Sequence, residues 1–188
     1  MLEPLDREAA RNRLLELIRE RAFRDGVEVT LASGKKSDFY VDGRQVTLHP
    51  EGLLLVSRLM LEILAPLELD AVGGPTLGAD PIAAGICTVS QLADTPLRAF
   101  LVRKEPKGHG LGSWIAGQLG PGDRVAVVED TMTTGGSLLR AVQRVEETGA
   151  RVELVLVIVD RLDPDGEATR QQLPFRALYT IEDLRGRT

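Results

Sequence analysis

Glu129 and Asp130 stand side by side after the apolar run 125–128, and a small hydroxyl- and glycine-rich segment follows them. The stretch 124–137 reads RVAVVEDTMTTGGS. A short β-branched run of this kind suits a strand buried on both faces. Thr131, Met132, Thr133, Thr134, Gly135, Gly136 and Ser137 then lead into a helical pattern over 138–148. Strand, tight loop and helix N-terminus in that order form an anion cradle. The loop amides and the positive end of the helix dipole converge on one spot, and hydroxyls add donors. The two acids would repel a bare phosphate. They must face another part of the same ligand, either sugar hydroxyls or a divalent metal. A phosphorylated sugar with a metal nearby satisfies both halves. The plainer alternative is a strand-to-helix turn capped by Thr and Ser beside two solvated acids. No G-K-[ST] follows the glycines and no G-x-G-x-x-G occurs, so this is neither a Walker loop nor a dinucleotide fingerprint.

A second set of chemically able residues lies at 103–110, RKEPKGHG. Arg103, Lys104, Lys107 and His109 put four cationic or potentially cationic groups within seven residues. The chain carries a net charge of −5, so such a cluster focuses an anion locally. Its glycines make it a candidate lid; the competing reading is a solvated surface loop. His109 has no spacing with His49 or Cys87 that suggests zinc. Further upstream, the segment 31–42 reads LASGKKSDFYVD. There Phe39 and Tyr40 either present a ring to a planar base or pack a small hairpin. Arg161 either forks onto a carboxylate or imide edge, or neutralises Asp160 or Asp163.

The elements that must position these residues follow from periodicity. Asp6 can cap a helix over 7–23, ended by Gly26; strands at 27–31 and 38–41 then form a hairpin around 33–36. A helix is expected at 53–64, opened by Pro50, and a strand at 69–73 ahead of the turn 74–78. Asp80 and Pro81 suggest a capped helix start running to about Gln91. Strands at 98–102, 124–129, 152–159 and 175–179, with a helix ending at Gly149, complete the pattern. Alternating buried strands and helices make an α/β, doubly wound, mostly parallel sheet of about five strands. A small N-terminal α/β portion, 1–48, precedes the core, 49–188, within one domain. Ligands bind at the carboxyl ends of such strands, where 74–78, 103–112, 129–137 and 160–161 all arrive.

At 188 residues the chain is long enough for one domain with a substantial core and short for two. Aromatics make up only 4%, so the core should be aliphatic. The net negative charge argues against a general nucleic-acid or membrane-surface role. Single Cys87 excludes an internal disulfide and agrees with a reduced, cytoplasmic setting. No signal peptide, membrane-spanning run, internal repeat or low-complexity segment is found in the sequence.

The stretch VVEDTMTTGGS resembles the phosphoribosyl-pyrophosphate (PRPP) motif of type I phosphoribosyltransferases, and with RKEPKGHG and SGKKSDFYVD the chain resembles the orotate phosphoribosyltransferase family along nearly its whole length. The resemblance implies a hooded type I phosphoribosyltransferase fold and transfer of phosphoribosyl from PRPP to orotate. It assigns Arg103, Lys104, Lys107 and His109 to pyrophosphate, with Lys104, Lys107, His109 and Asp130 catalytic. Glu129 and Asp130 fall at the ribose hydroxyls, and residues 131–137 around the 5′-phosphate. Thr133 and Arg161 meet orotate, with Phe39 and Tyr40 close to the base and Lys36 assisting. Mg²⁺ is implied, held mainly by PRPP or pyrophosphate, as is a homodimer whose loop reaches the partner's site. Ala32 and Leu77 stand where some members carry lysine, which shifts pyrophosphate binding toward the backbone amides of 74–78. Two rival readings are a phosphoribosyltransferase for another base and a non-catalytic PRPP- or nucleotide-sensing regulator. The first is separated by assaying each base with PRPP. Against the second stand the acidic balance and the lack of an added helix-turn-helix.

Overall fold

In a computed structural model, described over residues 3–30, 34, 36–106 and 113–186, the run 125–128 lies inside the main sheet. The strands are β1 (Phe23–Thr30), β2 (Lys36–Val41), β3 (Ala71–Pro75), β4 (Arg98–Val102), β5 (Ile115–Ala116), β6 (Arg124–Met132), β7 (Arg151–Asp160) and β8 (Phe175–Thr180). The helices are α1 (Arg7–Leu17), α2 (Arg44–Thr47), α3 (Pro50–Leu64), α4 (Ala79–Leu92), α5 (Gly136–Glu146), α6 (Glu167–Gln172) and α7 (Ile181–Arg185). The main sheet has the order β5-β4-β3-β6-β7-β8. Five of its strands run parallel, and β5 adds a short antiparallel edge to β4. β1 and β2 form a separate antiparallel hairpin.

Side chains of β6 alternate between two apolar layers, which is why the run lacks polar residues. Ala126 and Val128 join the core beneath α1, α3 and α4, while Val125 and Val127 face α5. Helix α5 buries Leu138, Ala141, Val142 and Val145, the i, i+3, i+4, i+7 stripe of a one-sided helix. Fully burying such aliphatic side chains stabilises by roughly 1.5–3 kcal/mol each, as an upper bound. The chain leaves β3 for β4 on one side and returns to β6 on the other. This switch point opens a crevice at the carboxyl ends of β3 and β6.

Asp6 caps α1 by accepting from the Ala9 N–H at 3.0 Å, and Pro50 takes the first turn of α3. Several local expectations are corrected. The first helix closes with a π-helical turn, Ile18–Ala22, so Gly26 does not end it; at φ 68° Gly26 sits within β1, where the register shifts between Asp25 and Val29. β6 continues to Met132 because β7 pairs with it as far as Asp160. Asp130 therefore belongs to the strand with Glu129 rather than to the loop after it. Gly78, not Asp80, occupies the N-cap of α4, and Asp80 lies in its first turn. Among the described residues no helix is long and apolar enough to cross a membrane.

Candidate active site

β6 delivers two carboxylates into the crevice in different surroundings. Glu129 is 7% exposed, and Ser137 Oγ donates to its Oε2 at 3.2 Å. Burial, reinforced by the neighbouring charge of Asp130, pushes its carboxyl up to about 9. Burial also raises Asp130, opposed by the Thr131 N–H donating to Oδ1 at 2.7 Å and by the charge of Arg44. Asp80 is raised by burial as well, and its Oδ1 is buried without a hydrogen-bond partner among the described residues. Burial in the crevice thus opposes the ionisation of all three carboxyls.

Two glycines let backbone close over these acids. A Cβ on Gly78 would lie 2.2 Å from Glu129 Oε1 and 2.8 Å from Asp130 Oδ1. One on Gly43 would lie 2.7 Å from Asp130 Cβ. Leu77 beside this turn is 62% exposed, and the Thr76–Leu77 peptide is cis.

Beyond β6, residues 133–135 form the loop, braced from behind. Thr169 Oγ1 donates to the Thr134 carbonyl at 3.0 Å, and Gly135, at φ 78°, begins α5 without a side-chain cap. The first-turn amides of α5 consequently lack the side-chain acceptor that normally satisfies one of them. An anion is the natural substitute. Met132 contributes only backbone here, since its side chain is 1% exposed in the core below α5.

Two cavities share Lys104 at this point, and a third lies apart from them. One of about 220 Å³ holds Tyr40, Arg44, Lys104, Glu129, Asp130 and Thr131. A second, about 340 Å³, continues from Lys104 past Arg103 and Ser137 to Trp114, Arg140 and Arg144. The third, about 420 Å³, lies across the hairpin and includes Lys36, Phe39, Arg161 and Arg185. Phe39 and Tyr40 enter different cavities because successive side chains of a strand point to opposite faces. Arg161 is buried; its Nη2 donates to Ser37 Oγ at 3.0 Å and its guanidinium lies 4.4 Å from the Phe39 ring centre. That burial lowers its ordinarily very high proton affinity. Lys36 turns to Glu28, 2.9 Å away in an exposed pair. Thr133 lies at the end of the cradle, its carbonyl against Gly166.

Ala32, Lys107 and His109 lie outside the described residues. The sequence reading missed Arg44, Asp80, Trp114, Arg140 and Arg185. Arg44 had a local signal in the charged Asp42-Gly43-Arg44 turn one residue past the aromatic pair, and Asp80 reads in the sequence only as a helix cap.

The chain is 46% identical over 178 residues to an orotate phosphoribosyltransferase of Rhodopirellula baltica, covering 91% of this chain and 92% of that protein. The chain belongs to the orotate phosphoribosyltransferases. Two solved structures align over 94% of this chain and 99% of their own. One is the Mycobacterium tuberculosis orotate phosphoribosyltransferase in complex with PRPP, with a TM-score of 0.76 at 40% identity. The other is a phosphoribosyltransferase from Corynebacterium diphtheriae, with a TM-score of 0.79 at 38% identity. No protein-family model matches the chain.

The buried acid has a consequence for this orotate phosphoribosyltransferase as a folded object. Folding raises the Glu129 carboxyl from its ordinary 4.5 to about 9, so the folded state holds that proton more tightly than the unfolded chain. Its contribution to stability is complete below pH 4.5 and is lost progressively as pH rises through 9, at up to about 1.4 kcal/mol per pH unit. Glu129→Gln should therefore flatten the fall of melting temperature between pH 6 and pH 8.5 and stabilise the protein at the upper end. Parallel melting profiles for the two proteins would refute the assignment.

Proposed function

We propose that this orotate phosphoribosyltransferase moves the phosphoribosyl group of PRPP onto orotate in the crevice at the carboxyl ends of β3 and β6, releasing pyrophosphate and orotidine 5′-monophosphate. The observation that carries the site is the adjacency of two strand acids, the buried Glu129 and the half-buried Asp130, to the uncapped start of α5. Phosphate sits at the amides of 131–137 and the hydroxyls of Thr131, Thr133, Thr134 and Ser137. The acids accept from the ribose hydroxyls, and a ligand hydroxyl or cation beside them offsets the burial that raises their proton affinity. Arg103 and Lys104, with Lys107 and His109, neutralise the departing pyrophosphate as the bond to the anomeric carbon breaks. Orotate lies on the Arg161 side, its carboxylate meeting the guanidinium, with Phe39 and Lys36 beside it and Thr133 and Tyr40 approaching from the ribose side.

Mg²⁺ fits the hard oxygen donors of the crevice. Among the described residues, however, no three His, Cys, Asp or Glu side chains are grouped to hold a metal. Mg²⁺ would accordingly be held mainly by PRPP or pyrophosphate, with Glu129 and Asp130 beside it, and would supply neutralisation of the leaving group's charge. A cytoplasmic setting accords with the free Cys87.

Following orotate absorbance with PRPP and Mg²⁺, beside parallel reactions with adenine, guanine, hypoxanthine and uracil, tests the base. Consumption of orotate alone is expected; consumption of a purine instead would overturn the assignment. We further propose a homodimer in which the segment containing Lys107 completes the partner's site. Lys107→Ala and Asp130→Asn homodimers are then each nearly inactive. Subunit exchange between them restores up to about half the wild-type activity per heterodimer, since one site is intact and the other carries both defects. No recovery after exchange confirmed by mass would mean that each chain completes its own site.

A further inference from the structure

The C-terminal helix α7 is short, and its placement is fixed by its ends. Thr180 and Asp183 form a reciprocal capping box at its start, while Ile181 and Leu184 are buried against the main core. This leaves Arg185, in the last turn, directed across to the β1–β2 hairpin. Its Nε and Nη2 both donate to Asp25 Oδ1, at 3.0 and 2.8 Å, and Nη2 also donates to Asp38 Oδ2 at 2.7 Å. One side chain therefore links both strands of the hairpin to an element about 150 residues further along the chain.

The same guanidinium lies 4.9 Å from the Phe39 ring centre, the ring that Arg161 meets at 4.4 Å. Both arginines line the 420 Å³ cavity. Ser37 completes the connection: its hydroxyl accepts from Arg161 Nη2 at 3.0 Å and donates to the Phe39 carbonyl at 2.8 Å. The two hydrogen-bond acceptors and the ring found against the Arg161 guanidinium thus belong to β2, and β2 is held to the C-terminal helix through Arg185. The guanidinium itself is largely enclosed, with its side chain 15% exposed, whereas Asp25 and Asp38 are 48% and 72% exposed. Ion pairs with partners this exposed add little to global stability. The effect of the fork is geometric: it fixes where the hairpin, and with it Phe39 and Ser37, stands relative to Arg161.

We propose that Arg185 is a positioning residue for the nucleobase, holding the β1–β2 hairpin so that Arg161 is presented to the base carboxylate or imide. The proposal rests on the reading that the 420 Å³ cavity accepts the base. Steady-state constants for orotate and PRPP and the melting temperature are measured for Arg185→Ala, Arg185→Lys, the pair Asp25→Asn with Asp38→Asn, and Arg161→Ala. Arg185→Ala should raise the orotate KM by about tenfold, the scale of one charge-assisted contact misaligned. The PRPP constant should stay within about twofold and the melting temperature within a few degrees. Lysine keeps the charge but cannot fork, so Arg185→Lys should fall between alanine and wild type. The double asparagine variant, which leaves Arg185 in place, should reproduce the alanine phenotype.

An unmoved orotate KM in Arg185→Ala or in the double asparagine variant, with a clear rise in Arg161→Ala, overturns the role of Arg185 alone. Parallel loss of stability and of both substrate constants also overturns it, since that is what a purely structural tether produces. An Arg161→Ala protein whose orotate KM is unchanged overturns the base reading itself, and the role of Arg185 with it.

Discussion

Asp130→Asn should lower orotate turnover by roughly a hundredfold or more while the protein remains folded. The substitution is isosteric, and the asparagine carbonyl can still accept from the Thr131 N–H that now donates to Asp130 Oδ1 at 2.7 Å. Burial already disfavours the charge at this position, so removing it does not weaken the fold. What is lost is a charged acceptor where the ribose hydroxyls of PRPP are proposed to bind. A contact that strengthens as positive charge develops on the ribose lowers the barrier, and its loss appears in kcat rather than only in KM. Circular dichroism and melting temperature establish the fold, and the orotate absorbance assay reads the rate. Near-normal turnover in a folded Asp130→Asn protein would remove Asp130 from the mechanism.

Gly78→Ala is expected to lower kcat/KM by about a hundredfold with little change in stability, the reverse of what a buried glycine in a core normally produces. At φ −61°, ψ −43° the Gly78 backbone suits alanine, so no conformational penalty arises. The added methyl would stand 2.2 Å from Glu129 Oε1 and 2.8 Å from Asp130 Oδ1. No close approach to backbone is found among its three nearest atoms, so the carboxylates must yield. Glu129 does so by shifting the carboxylate whose other oxygen accepts from Ser137. A displacement of about 1 Å at a reacting centre can cost on the order of a hundredfold. Gly120→Ala is the matched control, because nothing lies within 4 Å of a Cβ there. Equal activity of the two variants would mean that the acids tolerate displacement and do not grip the ligand through a fixed geometry.

The layout of the fold was readable in the sequence because its signals are local. The run at 125–128 announced a strand buried on both sides, and the spacing of Leu138, Ala141, Val142 and Val145 announced a one-sided helix behind it. The order of acids, hydroxyls and glycines between them carried the resemblance to the family, since a strand–loop–helix cradle is built within one short stretch of chain. The short elements α2, α6, α7 and β5 were not readable, being too short for a periodic pattern and held by tertiary contacts.

The protonation of Glu129 was equally hidden: its shift comes from burial and from Asp130, and only the first-named cause requires the whole fold around it. Pairing with β7 decided that the strand extends past Glu129 to take in Asp130, and strand alternation placed Phe39 and Tyr40 in separate cavities. Arg161 looked equally able to neutralise Asp160 or Asp163. In the fold Asp160 is taken by Arg170, 3.1 Å away, while Arg161 turns to Ser37 and Phe39, more than 120 residues earlier. Arg185 reaches Asp25 across 160 positions. Such partnerships depend on which surfaces the sheet and helices bring together, and no periodicity in the chain encodes an approach between segments that far apart.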